Sequence, residues 1–316
     1  MKNFTFIDLF SGLGGFRLAL ESVGGKCLLS SDIDKHVRET YKLNFGDYPY
    51  GDISQIKTED IPYHDILCAG FPCQPFSIGG KRLGFEDARG TLFFEVARIL
   101  KEKQPKALFL ENVAGIISHN QGNTISIICS ILNELGYDFS WERMNAKDHG
   151  IPQNRNRWYG VGFRKDLNLK DKFSFPKKCD LKFTVNDIIE QSCSADYTIT
   201  DTAKKNINTF LDEFKNTSRY NNANILIANE VRASRCNFKS DGIAPCLTAK
   251  MGTGGNNVPI VVAQNRKLTE KECLALMGFP KNYKIKANNM QSYKQIGNSV
   301  CVPIIEEIAQ KIISIL

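Results

Sequence analysis

Cys73 lies inside Gly70-Phe71-Pro72-Cys73-Gln74-Pro75-Phe76-Ser77. A cysteine is a strong nucleophile only as its thiolate, so its surroundings must lower its pKa or bring a positive charge close. A buried structural cysteine is the commoner fate of a free thiol. Pro72 and Pro75, however, fix φ on both sides and make a rigid turn after the apolar run 65–69. Packing alone does not require such a turn. The loop that follows carries Gly79, Gly80 and Gly84 with Lys81 and Arg82, combining backbone freedom with positive charge. The reading is a nucleophile presented at the lip of a cleft, followed by a basic loop over 77–90 that can close on a ligand. Two other groups could assist it. Glu111, in Glu111-Asn112-Val113, is a carboxylate delivered at the end of a buried-strand candidate. Arg155 and Arg157, in Gln153-Asn154-Arg155-Asn156-Arg157, are fixed positive charges. Taken singly, Glu111 also reads as a cap or surface acid, and the arginines as a solvated edge strand.

These residues need elements to position them. Residues 4–10 read as a strand, Ser11-Gly12-Leu13-Gly14-Gly15 as a turn, and 16–22 as a helix. A second strand over 26–30 ends at Asp32, eighteen positions after Gly14. In nucleotide-binding α/β folds an acid about 20 positions beyond the glycine turn holds ribose hydroxyls. The glycine pattern is not G-x-G-x-x-G, so the turn is equally readable as structural. Asp52 beside Ile53 could accept from an adenine amino group, or could simply cap a turn. Helices are expected over 34–44, 91–103 and 123–135. The strand 107–110 delivers Glu111 at its carboxyl end, where open α/β sheets bind ligands. Strands over 139–145 and 158–164 close the sheet. Beyond about residue 175 the alternation stops, and 178–283 is polar and turn-rich with a short strand at 225–228 and one helix near 206–214. A short helix is expected over 268–277 and a terminal apolar helix over 303–316. Asn298, in Gly297-Asn298-Ser299-Val300, reads alone as a turn residue, and His149 as structural.

The bulk numbers are compatible with this organisation. The 316 residues are 42% hydrophobic and 24% charged, enough for an ordinary core. A net charge of +7 leans toward a polyanionic partner. Ten cysteines without a C-x-x-C pair, and four histidines, support no zinc or redox motif, so no metal is expected. No signal peptide and no long apolar run is visible, so a reducing cytoplasm and no membrane are expected.

In combination, Phe10-Ser11-Gly12-Leu13-Gly14-Gly15, Pro72-Cys73-Gln74, Glu111-Asn112-Val113, Gln153-Asn154-Arg155-Asn156-Arg157 and Gly297-Asn298-Ser299-Val300 resemble, in order, the motifs of the DNA (cytosine-5)-methyltransferases of restriction–modification type. The resemblance covers about 4–175 and 265–316. It implies a Rossmann-like α/β sheet of seven strands that binds S-adenosyl-L-methionine, giving S-adenosyl-L-homocysteine. It also implies a smaller, mostly irregular or β target-recognition domain. The expected division is 1–176 catalytic, 177–283 target recognition, and 284–316 a return to the catalytic domain.

The resemblance further implies roles. Cys73 would attack C6 of cytosine, Glu111 would contact N3, Arg157 would lie near O2, and Arg155 would support the pocket. Phe10, Leu13, Gly14, Asp32, Ile33, Asp52, Ile53, Pro72, Leu92, Asn298, Ser299 and Val300 would line the cofactor site. Ile33 stands where relatives often have an aromatic residue. Gln74, Ser77, Lys81, Arg82, Arg232, Arg235 and Thr248 would contact DNA, with Gln264 and the 251–257 loop as further groove candidates. Cys246 replaces a threonine usual in relatives, leaving Thr248 for the backbone-phosphate contact. The implied partner is double-stranded DNA. The protein would be a monomer with no obligate protein partner, related to a cognate restriction endonuclease by function alone. Two other readings compete. The tRNA branch of the family is disfavoured because Cys236-Asn237-Phe238 is not its Cys-Phe-Thr. A silent DNA-binding protein on this fold is disfavoured by intact Cys73, Glu111 and Arg157.

Overall fold

The computed structural model describes residues 3–72, 92–254, 256–286 and 289–316. The chain divides into two compact units, one made of 1–144, 156–177 and 304–316, the other of 145–155 and 178–303.

The first unit is an alternating α/β structure. Its elements are β1 (Phe4–Leu9), α1 (Gly15–Ser22), β2 (Gly25–Ser31), α2 (Lys35–Phe45), β3 (Ile66–Ala69), α3 (Leu92–Lys103), β4 (Ala107–Val113), α4 (Asn123–Glu134), β5 (Tyr137–Asn145) and β6 (Asn156–Arg164). The sheet order is β2-β1-β3-β4-β6-β5. Strands β2, β1, β3 and β4 run parallel, and β6 is antiparallel to β4. Six strands, not seven, are present among the described residues. Strand β3 is buried at every position, as expected for a parallel strand covered on both faces. Helix α3 places Phe93, Val96, Ala97, Ile99 and Leu100 in the core at helical spacing. Asp34 caps α2 by accepting from the His36 N–H at 2.9 Å, and Gly46 ends that helix at φ 80°.

The second unit holds α5 (Asp201–Lys215), β7 (Ile227–Arg232), β8 (Arg235–Lys239), β9 (Ile260–Val261), β10 (Arg266–Lys267), α6 (Glu270–Ala275) and α7 (Asn289–Asn298). Its four strands order as β10-β9-β7-β8, all antiparallel. Ile199, Ala203, Ile207, Ala228, Val231 and Ile260 form its core. Helix α5 is longer than the sequence suggests, because Thr200 caps it from the Ala203 N–H. Helix α7 is not legible in the sequence at all. Its segment is largely polar, and Tyr293 and Ile296 supply the buried contacts that hold it. The terminal helix α8 (Val302–Ile315) starts here and continues in the first unit.

Asp8 is the exception in the first unit's core. It is wholly buried on β1, and neither carboxyl oxygen has a hydrogen-bond partner among the described residues. Burial raises its pKa well above the ordinary 3.8, with the Arg17 charge opposing that shift. The folded state therefore holds this proton more tightly than the unfolded chain, and stability falls as pH rises above about 3.8 toward the raised value. Asp8→Asn removes the titration. In denaturant melts at pH 5, 6 and 7 the variant should gain on the parent by up to about 1.4 kcal/mol per pH unit. A gap that stays constant with pH would show that Asp8 is not the group responsible.

Candidate active site

The parallel strands end on one line. Leu9 of β1 pairs with Ser31 of β2 and with Ala69 of β3, and Ala69 pairs with Leu110 of β4. The next residues along are Phe10, Asp32, Gly70 and Glu111. Four chain segments separated by up to about a hundred positions thus end at one edge, two of them with carboxylates, where open α/β sheets take ligands.

At β1 the chain turns sharply. Phe10 has φ 57°, Gly12 φ 54° and Gly14 φ 72°, and Gly14 is the residue preceding α1. A side chain at Gly14 would be doubly excluded, since its Cβ would lie 2.4 Å from the Phe45 ring. Gly12 faces open space instead. The Asp32 carboxylate braces this turn: Oδ2 accepts from the Gly12 N–H and Oδ1 from the Asp34 N–H, both at 2.9 Å. Burial raises the Asp32 pKa, and those two N–H groups oppose the rise. Ile33 beside it is 75% exposed. Leu13 is buried, and Phe10 and Leu92 are half-buried. Asp52 lies close in sequence to Tyr50, which pairs with Ser31. Asp52 caps a short helix by accepting from the Ser54 N–H at 3.0 Å. Ile53 belongs to the core and does not present an open apolar face.

Beyond β3, Pro72 is exposed. Cys73, Gln74, Ser77, Lys81 and Arg82, with the rest of the 77–90 loop, lie outside the described residues. The approach to Cys73 is nevertheless anchored. Asn112, 3% exposed, donates from Nδ2 to the Phe71 carbonyl at 2.8 Å, and its Oδ1 accepts from the Val113 N–H. Sequence alone assigns Asn112 no role; its one signal there is an amide at the end of a buried strand. Its neighbour Glu111 is 8% exposed and pairs with Arg157 of β6, Nε to Oε1 at 3.2 Å. Antiparallel pairing brings them together, with Glu111 opposite Tyr159 and Val113 opposite Arg157. A buried carboxylate and guanidinium held this way form a preorganised acid–cation pair.

In the second unit, Arg155 is 2% exposed and its guanidinium serves backbone carbonyls. Thr248 and Asn298 are exposed, while Ser299 and Val300 are buried. Arg232 donates to the Asn257 Oδ1, and Arg235 pairs with Glu230 at 3.3 Å. Gln264 is engaged by Arg266 and the Glu190 carbonyl, which leaves it poorly placed to read a base. A cavity of about 530 Å³ lies in this unit, lined by Asn154, Asn229, Arg235, Asn237, Lys239 and Cys246 among others. Its polar, basic lining suits a polyanion.

A family model described as C-5 cytosine-specific DNA methylase matches residues 4–314. The chain belongs to this family. The type II methyltransferase M.HhaI of Haemophilus parahaemolyticus is 44% identical over 317 residues, covering 99% of this chain and 95% of that protein. The type II methyltransferase M.HpaII of Haemophilus parainfluenzae is 42% identical over 337 residues, covering 99% and 90%. A solved DNMT2 mutant of Spodoptera frugiperda has a TM-score of 0.72 at 22% identity, covering 98% of this chain and 99% of that one, and bears on the fold alone. The family match spans residues 4–314, wider than the motif-bearing stretches. A methylase of this family transfers the methyl group of S-adenosyl-L-methionine to C5 of cytosine in DNA.

Gly14→Ala tests the turn that carries the methylase's first motif. Left-handed strain and overlap with Phe45 together should cost about 2–5 kcal/mol in chemical denaturation. A loss under about 0.5 kcal/mol would mean that the turn relaxes freely.

Proposed function

We propose that this methylase is the modification enzyme of a type II restriction system, acting on one cytosine of a short double-stranded DNA sequence. The type II relatives support that reading. The observation that carries the site assignment is the Glu111–Arg157 pair, with Glu111 next to Asn112, whose side chain holds the Phe71 carbonyl just before Pro72 and Cys73. It acts in the cytoplasm as a monomer, with no obligate protein partner, and a cognate endonuclease is its functional counterpart.

The ring atoms are out of reach inside a duplex, so the target base must leave the stack at a cost of a few kcal/mol. The Cys73 thiolate then adds to C6, and the electron pair of the C5–C6 bond moves toward C5 and the N3 side of the ring. Glu111 gives a proton to N3 as that charge develops, and Arg157 supplies fixed positive charge while holding Glu111 in place. Bound S-adenosyl-L-methionine supplies an electrophilic methyl group to the carbon thus activated. Loss of the C5 proton to a base then expels the Cys73 thiolate, N3 returns its proton to Glu111, and the ring is restored.

The first unit's residues fit this cofactor. Each Asp32 oxygen takes one backbone N–H and keeps acceptor capacity for a ribose hydroxyl. Exposed Ile33 offers an apolar face to adenine. Asp52 has an oxygen beyond its capping bond for the adenine amino group. Gly12 leaves the backbone open to close approach.

Bisulfite sequencing of plasmid from methylation-deficient cells expressing the chain should find protected cytosines in one short motif. Cys73→Ala should abolish that protection while S-adenosylhomocysteine binding survives. Unprotected DNA from well-expressed parent protein would overturn the DNA reading and direct the assay to tRNA. Separately, Asp32→Ala should raise the cofactor KM by about 10–100-fold through loss of charge-assisted hydrogen bonds. An unchanged KM would remove Asp32 from the cofactor site.

A further inference from the structure

We propose that Arg155 is a positioning residue that ties the cofactor segment Asn298–Val300 to the DNA-contacting residue Thr248, so that one guanidinium sets both. The proposal rests on the functional reading above and on the roles that the family resemblance implies for those two segments.

The connection is built from backbone contacts within the second unit. Arg155 Nη1 donates to the Leu247 carbonyl at 2.7 Å. Its Nη2 donates to the Gly297 carbonyl at 3.4 Å and to the Ser299 carbonyl. The three carbonyls thus bracket Asn298 on one side and precede Thr248 on the other. The planar fork of arginine can serve several acceptors at once, which the point charge of lysine does poorly.

Leu247 is gripped twice. Its N–H donates to Gln153 Oε1 at 3.0 Å, while its carbonyl is held by Arg155. Gln153 is itself anchored, donating from Nε2 to the Leu276 carbonyl at 2.6 Å. Both backbone polar groups of this one residue are therefore fixed by side chains two positions apart. Those side chains project from a stiff loop. The Asn145 side chain accepts from the Arg155 N–H at 3.0 Å and donates to Asn154 Oδ1 at 2.7 Å. The Ala146 N–H donates to the Arg155 carbonyl at 3.0 Å.

The two held segments also touch directly. A Cβ at Gly297 would lie 2.1 Å from the Thr248 carbonyl carbon and 2.4 Å from the Ala249 nitrogen. A Cβ at Gly252 would lie 2.4 Å from the Met290 carbonyl oxygen of α7. Arg155 is the side chain bonded to both segments, whereas Gln153 is bonded on the Leu247 side alone. The same reading explains why an arginine expected to support the catalytic pocket is spent on carbonyls, whereas Arg157 also pairs with Glu111.

The test measures two affinities in Arg155→Lys. One is for S-adenosylhomocysteine without DNA, by equilibrium dialysis. The other is for a short duplex carrying the site identified by bisulfite sequencing, without cofactor. Both should weaken by about 10-fold or more, and both KM values should rise by more than kcat falls. A change in only one affinity, or in neither, overturns the proposal. Where Arg155→Lys loses cooperative unfolding, Gln153→Met decides, because Gln153 reaches Leu247 but neither Gly297 nor Ser299. Its duplex affinity should fall about 10-fold with S-adenosylhomocysteine affinity within about 2-fold. Equal loss of both, or no loss, overturns the proposal. Parent protein that binds no S-adenosylhomocysteine would instead strike the cofactor assignment, and parent protein that methylates no DNA would strike the functional reading.

Discussion

Register between parallel strands is the constraint on which the candidate active site depends. Ser31, Leu9, Ala69 and Leu110 are hydrogen-bonded neighbours across four strands. A one-residue slip in any of them would send its side chains to the opposite face. Strand β3 and the 107–110 run of β4 are continuous apolar stretches, and their burial makes such a slip costly. That rigidity lets the residues just beyond the line, where the chain is freer, carry polar groups. The left-handed backbone at Phe10, Gly12 and Gly14 is tolerable there because Asp32 and the start of α1 brace it from both sides.

Charge is buried sparingly and for identifiable reasons. The pair Glu111–Arg157 is nearly closed off from solvent, and removal of either partner would leave an uncompensated charge. Arg266 and Glu272 form the second unit's own buried pair at 2.7 Å. There Glu272 also completes a capping box with Thr269 and accepts from the Glu190 N–H, so the pair fixes the entry to α6 by filling every acceptor position. Asp8 is only partly offset by the Arg17 charge, and burial therefore holds its pKa above the ordinary value.

The second unit separates holding residues from exposed ones. Arg155, Gln153 and Gly297 are buried and serve backbone. Thr248 and Asn298, next to them in sequence, are exposed. A backbone-held loop keeps its exposed side chains in place at lower entropic cost than a free one, which is what specific recognition requires. Arg232 and Arg235, read from sequence as groove contacts, already have partners in Asn257 and Glu230, so any role on DNA requires exchange of those contacts.

Legibility followed the range of the forces involved. The first unit's helices and strands were readable because apolar period, glycine turns and caps act over a few residues, as at Asp34, Gly14 and Pro105. The five ordered motifs in turn sufficed for family and chemistry, since each carries its reacting group in its own residue type. Helix α7 was not readable, because its burial rests on Tyr293 and Ile296 meeting partners distant in the chain. The same holds for Ile53, which local sequence places beside a ligand and tertiary packing places in the core. Neither the pairing of Glu111 with Arg157 nor the three carbonyls around Arg155 follows from spacing. Those contacts join segments dozens of positions apart, and only the closure of the sheet and the second unit's loops brings them within hydrogen-bond reach. The sequence by itself determined which chemical groups the protein owns; the tertiary structure decided which of them react and which merely hold the others in place, because burial and hydrogen-bond partners are properties of the folded chain.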